Sequence, residues 1–219
     1  MLGKTPRTTL QRIPERAGAD LAVAYAILDE GVLCHVGVER DGCPHVMPMA
    51  YARDSDDVLL HGSSASRLMN ALAAGAPASF CVTLLDGMVL ARSVFHHSMN
   101  FRSLVAFGRA RLVDDDGEKI VALARLVEHL VPGRSEDARP PNPQELAATT
   151  VVKFPLAEAS VKMRAGPPAD ADKDMSLPIW AGVIPMALAA GTPLADSSGS
   201  EVPATPAYVE NYARRRDVR

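Results

Sequence analysis

Apolar residues recur along most of this chain in short runs, many of them alternating with polar positions, and Gly, Pro, Asp and Asn separate the runs. A period of two predicts strands. The stretch GVLCHVGVERDGCPHVMPMAYARD, residues 31–54, has two such runs flanking Asp41-Gly42, a dipeptide that accepts the positive φ angles of a tight hairpin. Asp57–His61 reads as a third short strand after the acidic turn Asp54-Ser55-Asp56. PASFCVTLL (77–85) and MVLARSVF (88–95) predict a second hairpin that turns at Asp86-Gly87. Ser103–Val113 is another strand, in which Gly108 marks a bulge or a close approach by a neighbour. Thr149–Lys162 is the last long strand, broken near Pro155.

Helical spacing is confined to a few segments. Ala22–Asp29 predicts a short helix ended by Gly31, and Ser66–Ala74 a second one ended by Gly75. Asp116–Val131 is the clearest, with Ile120, Leu123, Val127 and Leu130 on one face, Asp115 and Glu118 placed as a capping box, and Pro132-Gly133 beyond its end. Arg134–Pro143 is a proline-rich loop, and Asn142-Pro143-Gln144-Glu145 opens another short helix. Residues 1–19 read as an arm, 20–190 as the folded domain, and 191–219 as a flexible tail with a frayed helix from Tyr208. Six or so β-segments, tight turns and no strand–helix alternation predict a mainly β, antiparallel sheet or barrel with peripheral helices. In 78–85, Phe80, Val82 and Leu84 face one way and Cys81, Thr83 and Leu85 the other. A sheet apolar on both faces needs two covers, a barrel interior on one side and helices or a second subunit on the other, so a homodimer is expected.

Composition narrows the function classes. The 219 residues are 47% hydrophobic and 22% charged with a net charge of −3, enough for a real core and without a field that would draw the whole chain to nucleic acid or an anionic membrane. Lys4, Arg7, Arg12 and Arg16 make the N-terminus locally basic, but no aromatic residues interleave them for base stacking, so they read as a solvated arm. No apolar run is long enough to span a membrane, and no apolar segment follows the basic N-terminus as in a secretory signal. Cys34, Cys43 and Cys81, an odd and sparse set without CxxC spacing, argue against a disulfide framework or a structural zinc site and suit a reducing cytoplasm.

Candidate chemistry concentrates in LLHGSSASRLMNAL, residues 59–72, where the third strand gives way to a helix. Unpaired N–H groups at such a junction favour anions, Gly62 admits a close backbone approach, Ser63, Ser64 and Ser66 offer hydroxyl donors, and Arg67 offers a planar fork suited to two phosphate oxygens. The plainer alternative is a serine cap and a solvated arginine. Adjacent His96 and His97 would point to opposite faces of an extended chain, a poor ligand pair for one metal ion, although either alone is a candidate haem ligand. Cys34 and Cys81 lack a basic sequence neighbour that would lower a thiol pKa and read as small buried hydrophobes. Met47 and Met49 share a strand face that is either core or the wall of a ligand site. No Ser-His-Asp or paired-carboxylate signature stands out, so no side chain is nominated as catalytic.

Four stretches together carry a family likeness: residues 31–51, 59–72, LARSVFHHSMNFRSLVAFGRARLV (90–113) and LPIWAGVIP (177–185). With them the chain resembles the pyridoxamine 5'-phosphate oxidase-like, flavin-binding split-barrel superfamily, near its nitroimidazole-resistance group. The resemblance implies a six-stranded antiparallel Greek-key barrel that dimerises, with one FMN at each of two sites between subunits. It places the phosphate among His61, Gly62, Ser63, Ser66 and Arg67, the flavin ring along Met47, Pro48 and Met49, further phosphate and ribityl contacts at Asn100, Arg102 and Ser103, and a covering aromatic at Trp180, contributed by either chain. Phe101 stands where relatives usually have Tyr, so any hydrogen bond from that hydroxyl is lost. The implied function is an FMN-dependent oxidoreductase that passes electrons from NAD(P)H to a small electrophile of nitroaromatic or quinone type. The alternatives are a non-catalytic flavin store or redox sensor, or the same cleft used for haem or a deazaflavin. The extra basic cluster with which true pyridoxamine-phosphate oxidases hold their substrate phosphate is not found.

Overall fold

The computed structural model describes residues 5–9, 17–18, 20–196, 198 and 203–212. In chain order the elements are β1 (Ala17–Gly18), α1 (Leu21–Glu30), β2 (Leu33–Arg40), β3 (Cys43–Asp54), β4 (Asp57–Ser63), α2 (Arg67–Ala73), β5 (Pro77–Leu90), a 3₁₀ turn (Val94–His96), β6 (Ser98–Arg109), β7 (Arg111–Leu112) and α3 (Asp116–Leu130). There follow α4 (Arg134–Asp137), α5 (Pro143–Ala147), β8 (Thr149–Pro155), β9 (Ala159–Arg164), β10 (Gly182–Pro185) and α6 (Ala207–Glu210). Turn chemistry sets the first half. Asp41 and Gly42 adopt φ of 54° and 74°, which brings Arg40 opposite Cys43 and zips β2 to β3 as far as Leu33 opposite Ala50. Ser55, at φ 58°, turns β3 into β4.

The strands of the described residues join one antiparallel sheet in the order β1-β9-β6-β5-β2-β3-β4-β8-β7, with β10 added to β5. The sheet curls until the end of the Ser98–Leu112 run reaches β8: Arg111 and Leu112 pair with Lys153 and Val152. Gly108 lies so close to Pro155 that a Cβ there would sit 3.0 Å from its Cγ, the close approach that the glycine suggested. Cys34, Val36, Phe80, Val82, Leu104, Val152 and Phe154 fill the interior. Phe80 and Val82 point inward while Thr83 and Leu85 are exposed, as the alternation requires. A smaller core of Ala52, Leu59, Val113, Ala122, Leu126 and Val151 joins α3 to the outside of the sheet. The buried stripe of α3 runs through Ala122 and Leu126, rotated from the expected Ile120–Val127 face, because Lys119 and the neighbouring polar positions face β8 and α5.

Three expectations are corrected. Asp86-Gly87 is not a turn: β5 runs unbroken through it, with a bulge between Leu85 and Gly87. Both of its halves pair with β6, and the missing Cβ of Gly87 makes room for β10, whose Ile184 carbonyl oxygen would lie 3.0 Å from it. Among the described residues the sheet has ten strands rather than six, because β1, β7 and β10 are short additions and Thr149–Lys162 divides into β8 and β9 at opposite sides of the sheet. The N-terminal arm is not wholly solvated: Arg7 pairs with Glu158 and lies 5.3 Å from the Phe107 ring centre. Lys4, Arg12, Arg16 and, in the tail, residues 197, 199–202 and 213–219 fall outside the described residues.

Candidate functional site

The ladder between β3 and β4 stops at Tyr51 opposite Leu60. Beyond that pair β4 keeps pairing with β8 as far as Ser63, while β3 keeps only β2. The two strands therefore fork. Met47, Pro48 and Met49 form one arm of the fork, and His61, Gly62 and Ser63 the other. Two of the sequence-nominated groups thus flank one gap.

Ser63 and Ser66 use their oxygens to shape the junction. Ala65 N–H donates to Ser63 Oγ at 3.2 Å, and Met69 N–H donates to the capping Ser66 Oγ at 3.4 Å. Both hydroxyl protons remain to be donated. Arg67 is exposed and makes no hydrogen bond or ion pair among the described residues. That guanidinium and the serines are the groups here suited to an anion, since α2, with seven residues, has fewer than two turns and a correspondingly small dipole. Gly62 has a packing reason of its own: a Cβ would sit 2.8 Å from Met69 Cγ. His61 has a buried Nδ1 without a partner among the described residues, and burial lowers its pKa, which keeps the ring neutral at pH 7.

The remaining nominated residues lie elsewhere and are engaged within the chain. Asn100, Arg102 and Ser103 are on β6, separated from β3 in the sheet by β5 and β2. Asn100 is buried; its Nδ2 donates to the Gly166 carbonyl at 3.1 Å and its Oδ1 accepts from Arg164. Ser103 Oγ donates to the Lys162 carbonyl at 3.1 Å. Arg102 is bidentate to both Glu30 (2.5 and 2.9 Å) and Asp86 (3.0 and 2.8 Å), which hold its pKa far above the usual guanidinium value. Trp180 is exposed and packs against Gly182. A cavity of about 500 Å³ near Val131, Arg134, Pro193, Val209 and Tyr212 includes none of these residues.

The family model described as pyridoxamine 5'-phosphate oxidase matches residues 20–163. The chain belongs to this family. Among solved structures, this family member is similar to the flavocytochrome Anf3 from Azotobacter vinelandii, with 40% identity, a TM-score of 0.87, and coverage of 94% of this chain and 95% of that one. It is also similar to the FAD and haem binding protein from Mycobacterium smegmatis, with 35% identity, a TM-score of 0.84, and 89% and 95% coverage. A putative 5-nitroimidazole antibiotic resistance protein from Bacteroides thetaiotaomicron shares the fold at 22% identity, with a TM-score of 0.56 over 67% of this chain and 85% of that one. Comparison with curated proteins finds no match. As expected for the family, the chain is a mainly β, flavoprotein-type scaffold. No helix among the described residues is long and apolar enough to cross a membrane.

Two clasps escaped the sequence reading. Arg92 donates to Asp170 Oδ2 at 2.9 Å, and its backbone N–H donates to Oδ1 at 2.8 Å. Arg164 and Asn100 together hold the turn at Gly166, where φ is 115°. Both clasps fasten the segment that leads to Trp180 and β10. Their partners lie 64 to 78 residues apart in sequence, so no local pattern announces them. Cys81 lies opposite His35 across the β2–β5 ladder, a basic neighbour that sequence adjacency does not reveal.

Proposed function

We propose that this family member is a flavin-dependent redox protein that also carries haem. The observation that supports it is a likeness over nearly the whole chain to two proteins whose names join flavin, or FAD, with a cytochrome or haem. The fork suits the flavin half. The unpaired Arg67 and the hydroxyl protons of Ser63, Ser64 and Ser66 fit a phosphate, the unpartnered Nδ1 of His61 has a hydrogen bond still to make, and Met47, Pro48 and Met49 offer an apolar wall for the ring. FMN and FAD share the phosphate next to the ribityl chain, so one grip serves both; FMN is the form the sequence suggests, and FAD the form in one neighbour's name. Asn100, Arg102 and Ser103 hold the scaffold in this reading, and Trp180 covers the ring from its own chain or a second copy. Leu33, Val46 and Leu85, exposed on one face of the sheet, form the contact of a homodimer.

When bound, the flavin supplies hydride acceptance from a nicotinamide and onward delivery of electrons to haem or to a nitroaromatic or quinone-like electrophile. The chain's own residues fix the phosphate, shield the ring from water and orient its polar edge, and no side chain is assigned as a general acid. The free cysteines are compatible with a cytoplasmic setting. The test is the absorption spectrum of the purified protein, with mass identification of what it releases on denaturation. Flavin bands together with a Soret band are expected. A colourless protein that also ignores added FMN, FAD and hemin would overturn the proposal.

A further inference from the structure

Resting on the haem half of that reading, we infer that His97 is the protein ligand to the haem iron. The argument starts from one hydrogen bond. His97 Nδ1 lies 3.0 Å from the Ser93 carbonyl oxygen. A carbonyl only accepts, so Nδ1 carries the proton and Nε2 keeps its lone pair. Metal-ligating imidazoles are characteristically oriented in this way, with the second ring nitrogen donating to a backbone carbonyl. The turn that holds the carbonyl is itself tied: Phe95 N–H donates to Ser93 Oγ at 3.3 Å, and His96 N–H to the Ser93 carbonyl at 3.0 Å. His97 is exposed, so its Nε2 is accessible.

The surroundings suit a flat apolar ligand. Val94 and Phe95, on the same turn, are 90% and 87% exposed, apolar surface that a ligand covering the turn would take out of water. Beside the turn, Ile184, Met88 and Met99 are register partners on three adjacent strands, and all three are exposed. At about 4.8 Å between strands they make an apolar row roughly 10 Å across. Met99 follows His97 by two residues of extended backbone and so lies on the same side.

The other five histidines fit less well. His61 has one ring nitrogen buried, and His129 donates through Nε2 to the Gly31 carbonyl at 2.7 Å. His96 packs edge-on against Phe95. His35 and His45 are exposed on strands, and no hydrogen bond among the described residues orients either ring.

Hemin titration of the full chain, followed by the Soret band, tests the assignment with His97→Ala and His96→Ala, while flavin titration and circular dichroism check each variant's fold. His97→Ala is expected to weaken hemin binding by at least about tenfold and to shift the Soret band, and added imidazole to restore it; His96→Ala should titrate like the parent. A His97→Ala protein with the parent's Soret band and affinity, or a loss confined to His96→Ala, would overturn the assignment while leaving the haem reading intact. A parent chain that takes up flavin but no hemin would remove both the haem reading and this ligand.

Discussion

Replacing Arg102 separates two roles that its position allows. The resemblance places it at the flavin phosphate, whereas the structure surrounds its guanidinium with Glu30 and Asp86, four hydrogen bonds in all. Arg102→Met keeps most of the buried stem and deletes the charge. Two partly desolvated carboxylates are then left together without the cation they share. Removing one partner of a fully buried pair costs about 3–5 kcal/mol. Here the side chains are 24% (Arg102), 17% (Glu30) and 35% (Asp86) exposed, so solvent screening reduces the loss to roughly 2–4 kcal/mol. For a chain of this size each kcal/mol moves Tm by about 2–4 °C, so a drop of roughly 4–16 °C is expected in the thermal melt of the flavin-free protein. Adding Glu30→Gln and Asp86→Asn should recover most of the loss, since no uncompensated charge then remains. An unchanged melt accompanied by a large loss of flavin affinity would refute this reasoning and return Arg102 to the phosphate.

Arg67→Ala should behave in the opposite way, weakening flavin binding by about 1.5–3 kcal/mol, ten- to roughly a hundredfold in Kd, with no change in Tm; an unaltered titration would exclude Arg67 from the phosphate site. For Asp170, burial opposes ionisation, but hydrogen bonds from Arg92 and from the backbone outweigh it and hold its pKa below 3.8. A depressed carboxylate pKa stabilises the fold above the unfolded value, and that contribution is lost as the pH falls through the native value. The fluorescence of Trp180, the chain's single tryptophan, should therefore report loosening of its segment only below about pH 3.8, and Asp170→Asn should show the loosened signal at neutral pH; identical spectra for variant and parent would disprove the clasp. Leu33→Glu should shift the sedimentation of the holo-protein from dimer toward monomer at micromolar concentration, and a parent that sediments as a monomer would refute the dimer.

Much of the fold was legible where one local cause acts alone. Asp41-Gly42 turned as expected because nothing else competes for that backbone, and Asn142 with Glu145 formed a complete capping box. Asp86-Gly87 has the same turn chemistry and did not turn. Its neighbours on both sides, β6 and β10, supply pairing along the whole run, and tertiary pairing outweighs a dipeptide preference. The site divides in the same way. His61 through Arg67 are contiguous, so their shared location could be read directly. Whether Asn100 and Arg102 are free to meet a ligand depends on Arg164, Glu30 and Asp86, and nothing local says which remote residue will engage them.

The fork itself has a cause written in the strand that bounds it. Pro44 and Pro48 lie four apart in β3, so their ring nitrogens face the same edge. That edge cannot be the one paired with β2, where a missing N–H would break the ladder, and it must be the edge that β4 would otherwise occupy. With two donors absent there, β4 has no continuous ladder to join past Tyr51, and it stays with β8 instead. The prolines also keep the exposed edge from recruiting another strand. A sheet in which β3 and β4 stayed zipped through 43–50 would bring Met49 against Gly62 and leave no gap between them. The same two prolines that guard an open strand edge thereby hold apart the two arms on which the flavin reading depends.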